Sequence, residues 1–358
     1  MPDRKDEIRR AMASVANYRG EMANYTLTMP PRRGQADGMP GGFAIAFFLH
    51  SAGNASNQLF RFYHKSLSGG WSATVERLSK ISTFINSNKR RLPYFVDFHM
   101  HERLLQLPSS EVIPGIQMKV APGKNLSTRL HALREAYTAG NVNASDLRFF
   151  AKAAENFRKM GQTFYDLGIA HGDLSNDNLF IDDDSNIYLV DYDSVYVPAM
   201  GTSYLQTTGG AESFQHPLRI SANALRCSAR DDDFSFLVIY LFLLCASKHR
   251  GAIMIPFDDR TIFNKDSMTD SASLRRSSEF QRFSAFADPE IQRVCTLLLQ
   301  AVDARTLSSI SCYFKQTAAP QPAKRSIALF CTNCGHKYES FSYKFCTNCG
   351  SPRTTFNI

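Results

Sequence analysis

No apolar stretch in this chain of 358 residues is long enough to cross a bilayer as a helix. The longest, FSFLVIYLFLLCA at 234–246, has 13 residues against the roughly 20 required, so it reads as a buried core helix. No apolar segment follows the opening MPDRKDEIRR, so a secretory signal is not expected. Internal repeats are lacking apart from two CTNCG boxes. At 21% charged and 44% hydrophobic residues, the composition excludes a disordered chain. Acidic residues are the scarcer sign, 33 against 41 basic, giving a formal charge of +8. That excess favours anionic ligands, whether nucleotides, phosphoproteins or nucleic acid, without choosing among them. Of eight cysteines, those at 227, 245, 295 and 312 are scattered and read as small core residues. Reduced thiols and a cytoplasmic location are the expectation.

Residues 1–22 are polar and charged. GQADGMPGG (34–42) is a glycine-rich loop, and FAIAFFLH (43–50) and LFRFYHK (59–65) read as strands, with Leu59, Arg61 and Tyr63 on one face. Val75, Leu78, Ile81 and Ile85 recur at helical spacing, and YFVDFHMH (94–101) and VIPGIQMKV (112–120) are further strands. Together these predict a small sheet-rich lobe. Beyond about 125 the pattern becomes helical. Leu147, Phe150, Ala154, Phe157, Gly161 and Phe164 form one stripe, with Ser145 as N-cap and Gly168 as stop.

The segment HGDLSNDNLFIDDDSNIYLVDYDS (171–194) sets seven aspartates and three asparagines around two short apolar runs. LFI (179–181) and IYLV (187–190), joined by DDDSN, predict a tight hairpin. Asp182, Asp183 and Asp184 are turn formers. Asp173 and Asn178 precede the hairpin and Asp191 follows it, so folding brings the three side chains together. Phosphoryl transfer needs such a set: one carboxylate to orient or deprotonate a hydroxyl, and an amide oxygen and a second carboxylate to hold Mg2+ on nucleotide phosphates. Magnesium takes hard oxygen ligands and keeps several waters, so two protein ligands suffice.

His171-Gly172-Asp173-Leu174-Ser175-Asn176-Asp177-Asn178 followed by Asp191-Tyr192-Asp193 resembles the catalytic loop and metal-binding segment of the protein-kinase-like fold. The resemblance implies an α+β, bilobal molecule with a β-rich N-lobe over about 23–122 and a helical C-lobe over about 123–318. GGAESFQHP (209–217) is similar to the end of an activation segment. DDDFSFL (231–237) is similar to the start of the large buried helix, where Asp232 would bond the backbone of the catalytic loop. Arg61, with Lys65 second, falls where the family carries its phosphate-anchoring lysine. Glu76 would be the ion-pair partner, Gly38, Gly41 and Gly42 would form the phosphate loop, and Met118, Lys119 and Ala121 would line the adenine hinge. There are departures. Gly172 replaces an arginine that reads activation-loop phosphorylation, so that form of control is not expected. Ser175 replaces a lysine of serine/threonine kinases, and Asp193 stands in place of the usual glycine.

After a basic linker, APQPAKR (319–325), comes CTNCGHKYESFSYKFCTNCG, a C-x2-C-x11-C-x2-C arrangement. Cys331, Cys334, Cys346 and Cys349 suit a closed tetrahedral Zn2+ site, and a segment over 326–358 is too short to fold without one. His336 is a bystander, because four thiolates fill the shell. The basic residues of this ribbon read as a solvated face, and nucleic-acid binding is not expected.

HGDLS, DYD, QHP and the ribbon together resemble one bacterial group. Its kinase-like members accompany a von Willebrand A protein and a PP2C-type phosphatase in tellurite-resistance-like gene clusters. The expectation is an ATP- and Mg2+-dependent protein serine/threonine kinase with those partners, the ribbon serving partner docking. Two alternatives stay open: a small-molecule kinase, since HGDL is common there, and a pseudokinase scaffold.

Overall fold

The computed structural model describes residues 3–51, 54–141, 143, 145–206, 209–221, 225–316, 325–327, 348–349 and 355–357. The chain divides into two units, 1–311 and 312–358.

The first unit begins with α1 (Arg4–Met12), capped by Asp3, whose side chain accepts from the Lys5 amide. An antiparallel sheet follows. Its strands are β1 (Tyr25–Leu27), β2 (Met39–Pro40), β3 (Ala44–Ser51), β4 (Asn54–Tyr63), β5 (Phe98–Gln106) and β6 (Val112–Lys119), in the order β1-β3-β4-β6-β5 with β2 also paired to β3. Strand alternation sorts the side chains by face. Ile45, Phe47 and Leu49 on β3 and Phe60 and Phe62 on β4 bury with Ile8, Ala11 and Met12 of α1 in one apolar cluster. The N-terminal segment 1–22, polar in composition, thus supplies five core side chains, Tyr18 and Met22 being the other two. Arg61 lies between Phe60 and Phe62 and therefore points to the other face. Helix α2 (Gly70–Ser87) lies between β4 and β5 in sequence and buries Leu78, Ile81 and Ile85 of the expected stripe, while Val75 is half-buried.

Helices dominate after β6. A short β7 (Lys124–Asn125) leads into α3 (Leu126–Thr138), capped by the Asn125 side chain on the Thr128 amide. Helix α4 (Ser145–Leu167) buries Phe150, Ala154, Phe157, Gly161 and Phe164. The capping acceptor is the Asn143 side chain on the Ser145 amide, 3.0 Å, rather than Ser145 itself. The hairpin β8 (Leu179–Ile181) and β9 (Ile187–Leu189) pairs Leu179 with Leu189 and Ile181 with Ile187, and β7 adds a third strand. A short α5 (Pro217–Ser221) precedes α6 (Asp233–Lys248), in which every residue from Phe234 to Ala246 is buried. Phe236 stacks on Phe157 at 5.1 Å and Phe242 meets Phe150 edge-on at 5.9 Å. The 13-residue apolar run is therefore a core helix packed on α4, each phenylalanine contributing about 1.5–3 kcal/mol by burial. No helix among the described residues is long and apolar enough to cross a membrane. The unit closes with α7 (Ser271–Arg276), α8 (Ser278–Ser284) and α9 (Pro289–Val302). The first unit is thus mixed α and β, an antiparallel sheet followed in sequence by a largely helical part.

In the second unit β10 (Arg325–Ile327) pairs antiparallel with β11 (Thr355–Asn357). Cys331, Cys334 and Cys346 lie outside the described residues, while Cys349 is described and exposed.

Candidate active site

Two ends of the β8–β9 hairpin and strand β4 build the site. The loop entering the hairpin is fixed from below by Asp232, whose carboxylate accepts from the His171 amide at 2.5 Å and the Gly172 amide at 2.8 Å. Burial pushes the Asp232 carboxyl up to about 6, opposed by His171 and these two amides. The His171 ring, fully buried, donates from Nε2 to the Val190 carbonyl at 2.9 Å, tying the loop to the end of β9. Gly172 adopts φ +78°, and a Cβ there would stand 2.3 Å from the Ser194 carbonyl oxygen. No arginine fits at that position.

Asp173 and Asn178 meet directly. The Asn178 amide nitrogen donates to the Asp173 carbonyl at 2.9 Å and to its carboxylate at 3.3 Å. That commitment leaves the amide oxygen as the donor available to a cation. The other Asp173 oxygen accepts from the Ala211 amide at 3.1 Å. Gly210 makes this approach feasible, since a Cβ on it would lie 2.8 Å from the same oxygen. Burial raises the Asp173 carboxyl above the usual carboxylate range, with His171 and the Ala211 amide pulling the other way.

Asp191 sits at φ +65°, a left-handed conformation uncommon outside glycine and tolerated by aspartate. Tyr192, fully buried, makes edge contacts with Phe95 at 5.1 Å and Phe98 at 4.9 Å, and its hydroxyl bridges the Val96 amide and the Leu189 carbonyl. With Tyr192 held there, Asp191 and Asp193 both reach Arg61. One guanidinium nitrogen bonds Asp191 at 2.8 Å and the other bonds Asp193 at 2.7 Å. Burial alone would raise the Asp191 carboxyl, but the charge and hydrogen bond of Arg61 hold it below its ordinary value. Burial raises Asp193, and the Tyr63 hydroxyl donates to it.

The remaining expected residues are placed as follows. Gly41 and Gly42 turn β2 into β3, Gly38 packs against Phe47, and the Gly41 carbonyl meets His64 Nε2 at 3.3 Å. Because Ala44 pairs with Tyr63 and Ala46 with Arg61, this turn lies at the Arg61 end of β4. Met118 is buried in β6, Lys119 gives its amide to the Asp97 carbonyl and its ammonium to the Asp97 carboxylate, and Ala121 follows the strand end. Lys65 is exposed, one turn past β4, and its amide bonds the Phe43 carbonyl. Glu76 is corrected: it is 58% exposed and pairs with Lys80 on its own helix at 2.8 Å, not with Arg61. Its position on the solvent side of α2 is the reason, for it is the next residue, Arg77, that turns inward.

Sequence reading missed three supports. Arg77 is almost fully buried and donates to the Leu205 carbonyl at 2.8 Å, the Val195 carbonyl and Cys227 Sγ. Arg219, equally buried, donates to the carbonyls of Gly172 and Asp231 at 2.9 and 2.7 Å and to the Gln215 and Gln206 side chains. The Ala211 amide is the third. None carries a motif; only a buried cation next to orphan carbonyls marks them.

The Asn178 amide oxygen and the Asp191 carboxylate are hard oxygen donors of the kind that a Mg2+ ion retaining its waters takes. Among the described residues no group of three His, Cys, Asp or Glu side chains is poised to hold a metal.

No protein-family model and no curated protein matches the chain in sequence. Among solved structures it is similar to the Cydia pomonella granulovirus kinase PK-1, at 14% identity and a TM-score of 0.47, over 83% of this chain and 93% of that one.

Proposed function

We propose that the chain is an ATP-dependent phosphotransferase whose acceptor is a serine or threonine hydroxyl of a protein. The observation that carries this reading is the Asp173–Asn178 contact with the Asp191 carboxylate near enough to influence Asp173, Asp191 itself being paired with the Arg61 guanidinium of β4. Asp173 receives the acceptor hydroxyl by hydrogen bond and takes its proton as the oxygen attacks the γ-phosphorus. The bond from that phosphorus to the β–γ bridging oxygen breaks, and ADP leaves with the electron pair. Asn178 and Asp191 would hold Mg2+, which neutralises charge on the phosphates when bound. Arg61 adds a cation on the nucleotide side, though as a planar fork it is not the equivalent of a lysine.

A protein acceptor is favoured over a small molecule by the surface beside the catalytic loop. A cavity of about 460 Å³ there is lined by Ser175, Asp177, Phe214, Phe257, Asp258 and Lys265, and Phe257 is 52% exposed. Apolar and doubly charged walls suit a polypeptide better than a compact polyol. In the same reading the four ribbon cysteines hold Zn2+ and the ribbon docks partners, the von Willebrand A protein and PP2C-type phosphatase of the resembling group being the first to try. Purified protein with labelled ATP, a panel of proteins, and sugars and aminoglycosides in parallel tests the acceptor. Label on a small molecule alone would replace the protein substrate.

A further inference from the structure

Resting on the phosphotransferase reading, we infer that Asp193 is the positioning residue for Arg61. The phosphate anchor is then assembled from strand β4 and the Asp191–Asp193 segment, without helix α2.

Three observations carry this. First, the Arg61 fork is divided, one nitrogen on Asp191 at 2.8 Å and the other on Asp193 at 2.7 Å, with side-chain exposures of 14% for Arg61 and 10% for Asp193. A guanidinium reaches the two carboxylates through separate nitrogens held in a rigid planar fork, a geometry that the single nitrogen of an ammonium does not reproduce. Arginine in β4 and a second aspartate at 193 therefore make sense as a matched pair. Second, Asp193 is itself oriented from both sides: Tyr63, two residues along β4 from Arg61, donates its hydroxyl to the opposite carboxylate oxygen, and the Arg61 guanidinium lies 5.4 Å from the Tyr63 ring centre. Third, α2 is fixed by other means. Arg77 ties it to the Val195 and Leu205 carbonyls, and its one acidic side chain, Glu76, is spent on Lys80 in solvent. Division of labour follows. Asp191 stays within reach of a metal, while Asp193 bears the task of holding the guanidinium in register.

Two readouts test this. The first is thermal unfolding of the nucleotide-free protein for Arg61→Met, Asp193→Asn and the double variant. Coupling predicts that the double variant melts well above the temperature expected from summing the two single losses, while Arg61→Met and Glu76→Gln add independently. The second is equilibrium binding of Mg-ATP and the split of KM against kcat. Asp193→Asn should weaken nucleotide binding at least tenfold and raise KM more than it lowers kcat. Tyr63→Phe should shift both the same way by less, Arg61→Lys should fail to restore affinity, and Glu76→Gln should stay within twofold of wild type. Additive melting of Arg61 and Asp193, or a Glu76→Gln variant as impaired as Asp193→Asn, overturns the inference. Wild type that binds no nucleotide would instead end the phosphotransferase reading, and the melting cycle would still decide the Arg61–Asp193 pairing.

Discussion

The two walls of the site are built on opposite principles. On the helical side, Asp173, Asn178 and Asp191 come from one short segment, and a hairpin is enough to bring them together. On the sheet side, Arg61 of β4 meets carboxylates 130 and 132 residues away in sequence, and next to it Arg77 of α2 meets a carbonyl 128 residues away. Local assembly keeps its residues in a readable order. Long-range assembly depends on which residues burial brings together, and such a pairing leaves no fixed spacing in the sequence. The Arg61–Asp193 pair is of this kind, and it stands where the resemblance led one to expect a lysine and a glycine.

The sharpest break of the comparison is on the helical wall. Asp191→Ala should abolish detectable phosphotransfer with little loss of fold, and Asp173→Asn should lower kcat by about 10²–10⁴-fold, as expected of a lost general base. Single-turnover assays beside circular dichroism check both. Next is the backbone on which that wall rests. Gly172→Ala, forced into a left-handed conformation with its Cβ against the Ser194 carbonyl, should cost at least about 2 kcal/mol by denaturant titration. On helix α2, outside both walls, Arg77→Met orphans the carbonyls of Leu205 and Val195, with an expected loss of about 2–4 kcal/mol in the same titration.

The pH profile sharpens the picture further. If Asp173 acts as the base, its carboxylate is the active form, and because burial raises that group in the free protein the acid limb of kcat/KM should fall at a pH above the usual carboxylate range as the proton returns. A limb at the ordinary value would contradict a buried Asp173 as the base. The smallest effect is expected for the exposed carboxylate of the Glu76–Lys80 pair, where Glu76→Gln should leave the melting temperature unchanged in a thermal scan.

Much of the fold was legible because periodicity is a local property. The α4 stripe, the β3 and β4 strands and the β8–β9 hairpin follow from spacings within a few turns or pleats. The apolar run of α6 told burial from membrane by length alone. Helix α1 was less legible: its charge masks Ile8, Ala11 and Met12, which form one narrow stripe facing the sheet. The role of Glu76 went astray for a related reason. Helical phase decides between Glu76 and Arg77 by 100° of rotation, and an arginine at a fully buried position reads from sequence as a surface residue. Arg219 and the Ala211 amide had no sequence signal beyond proximity to QHP, since backbone carbonyls and amides are their partners. The ribbon cysteines rest on spacing, with Cys331, Cys334 and Cys346 outside the described residues.

The most direct test of the central claim is transfer of label from γ-labelled ATP with Mg2+ to protein, wild type beside Asp173→Asn. Label that appears with wild type and is lost in the variant is the predicted result. Equal labelling in both, or ATP that neither binds nor turns over, would contradict the assignment of Asp173, Asn178 and Asp191 as a phosphoryl-transfer site.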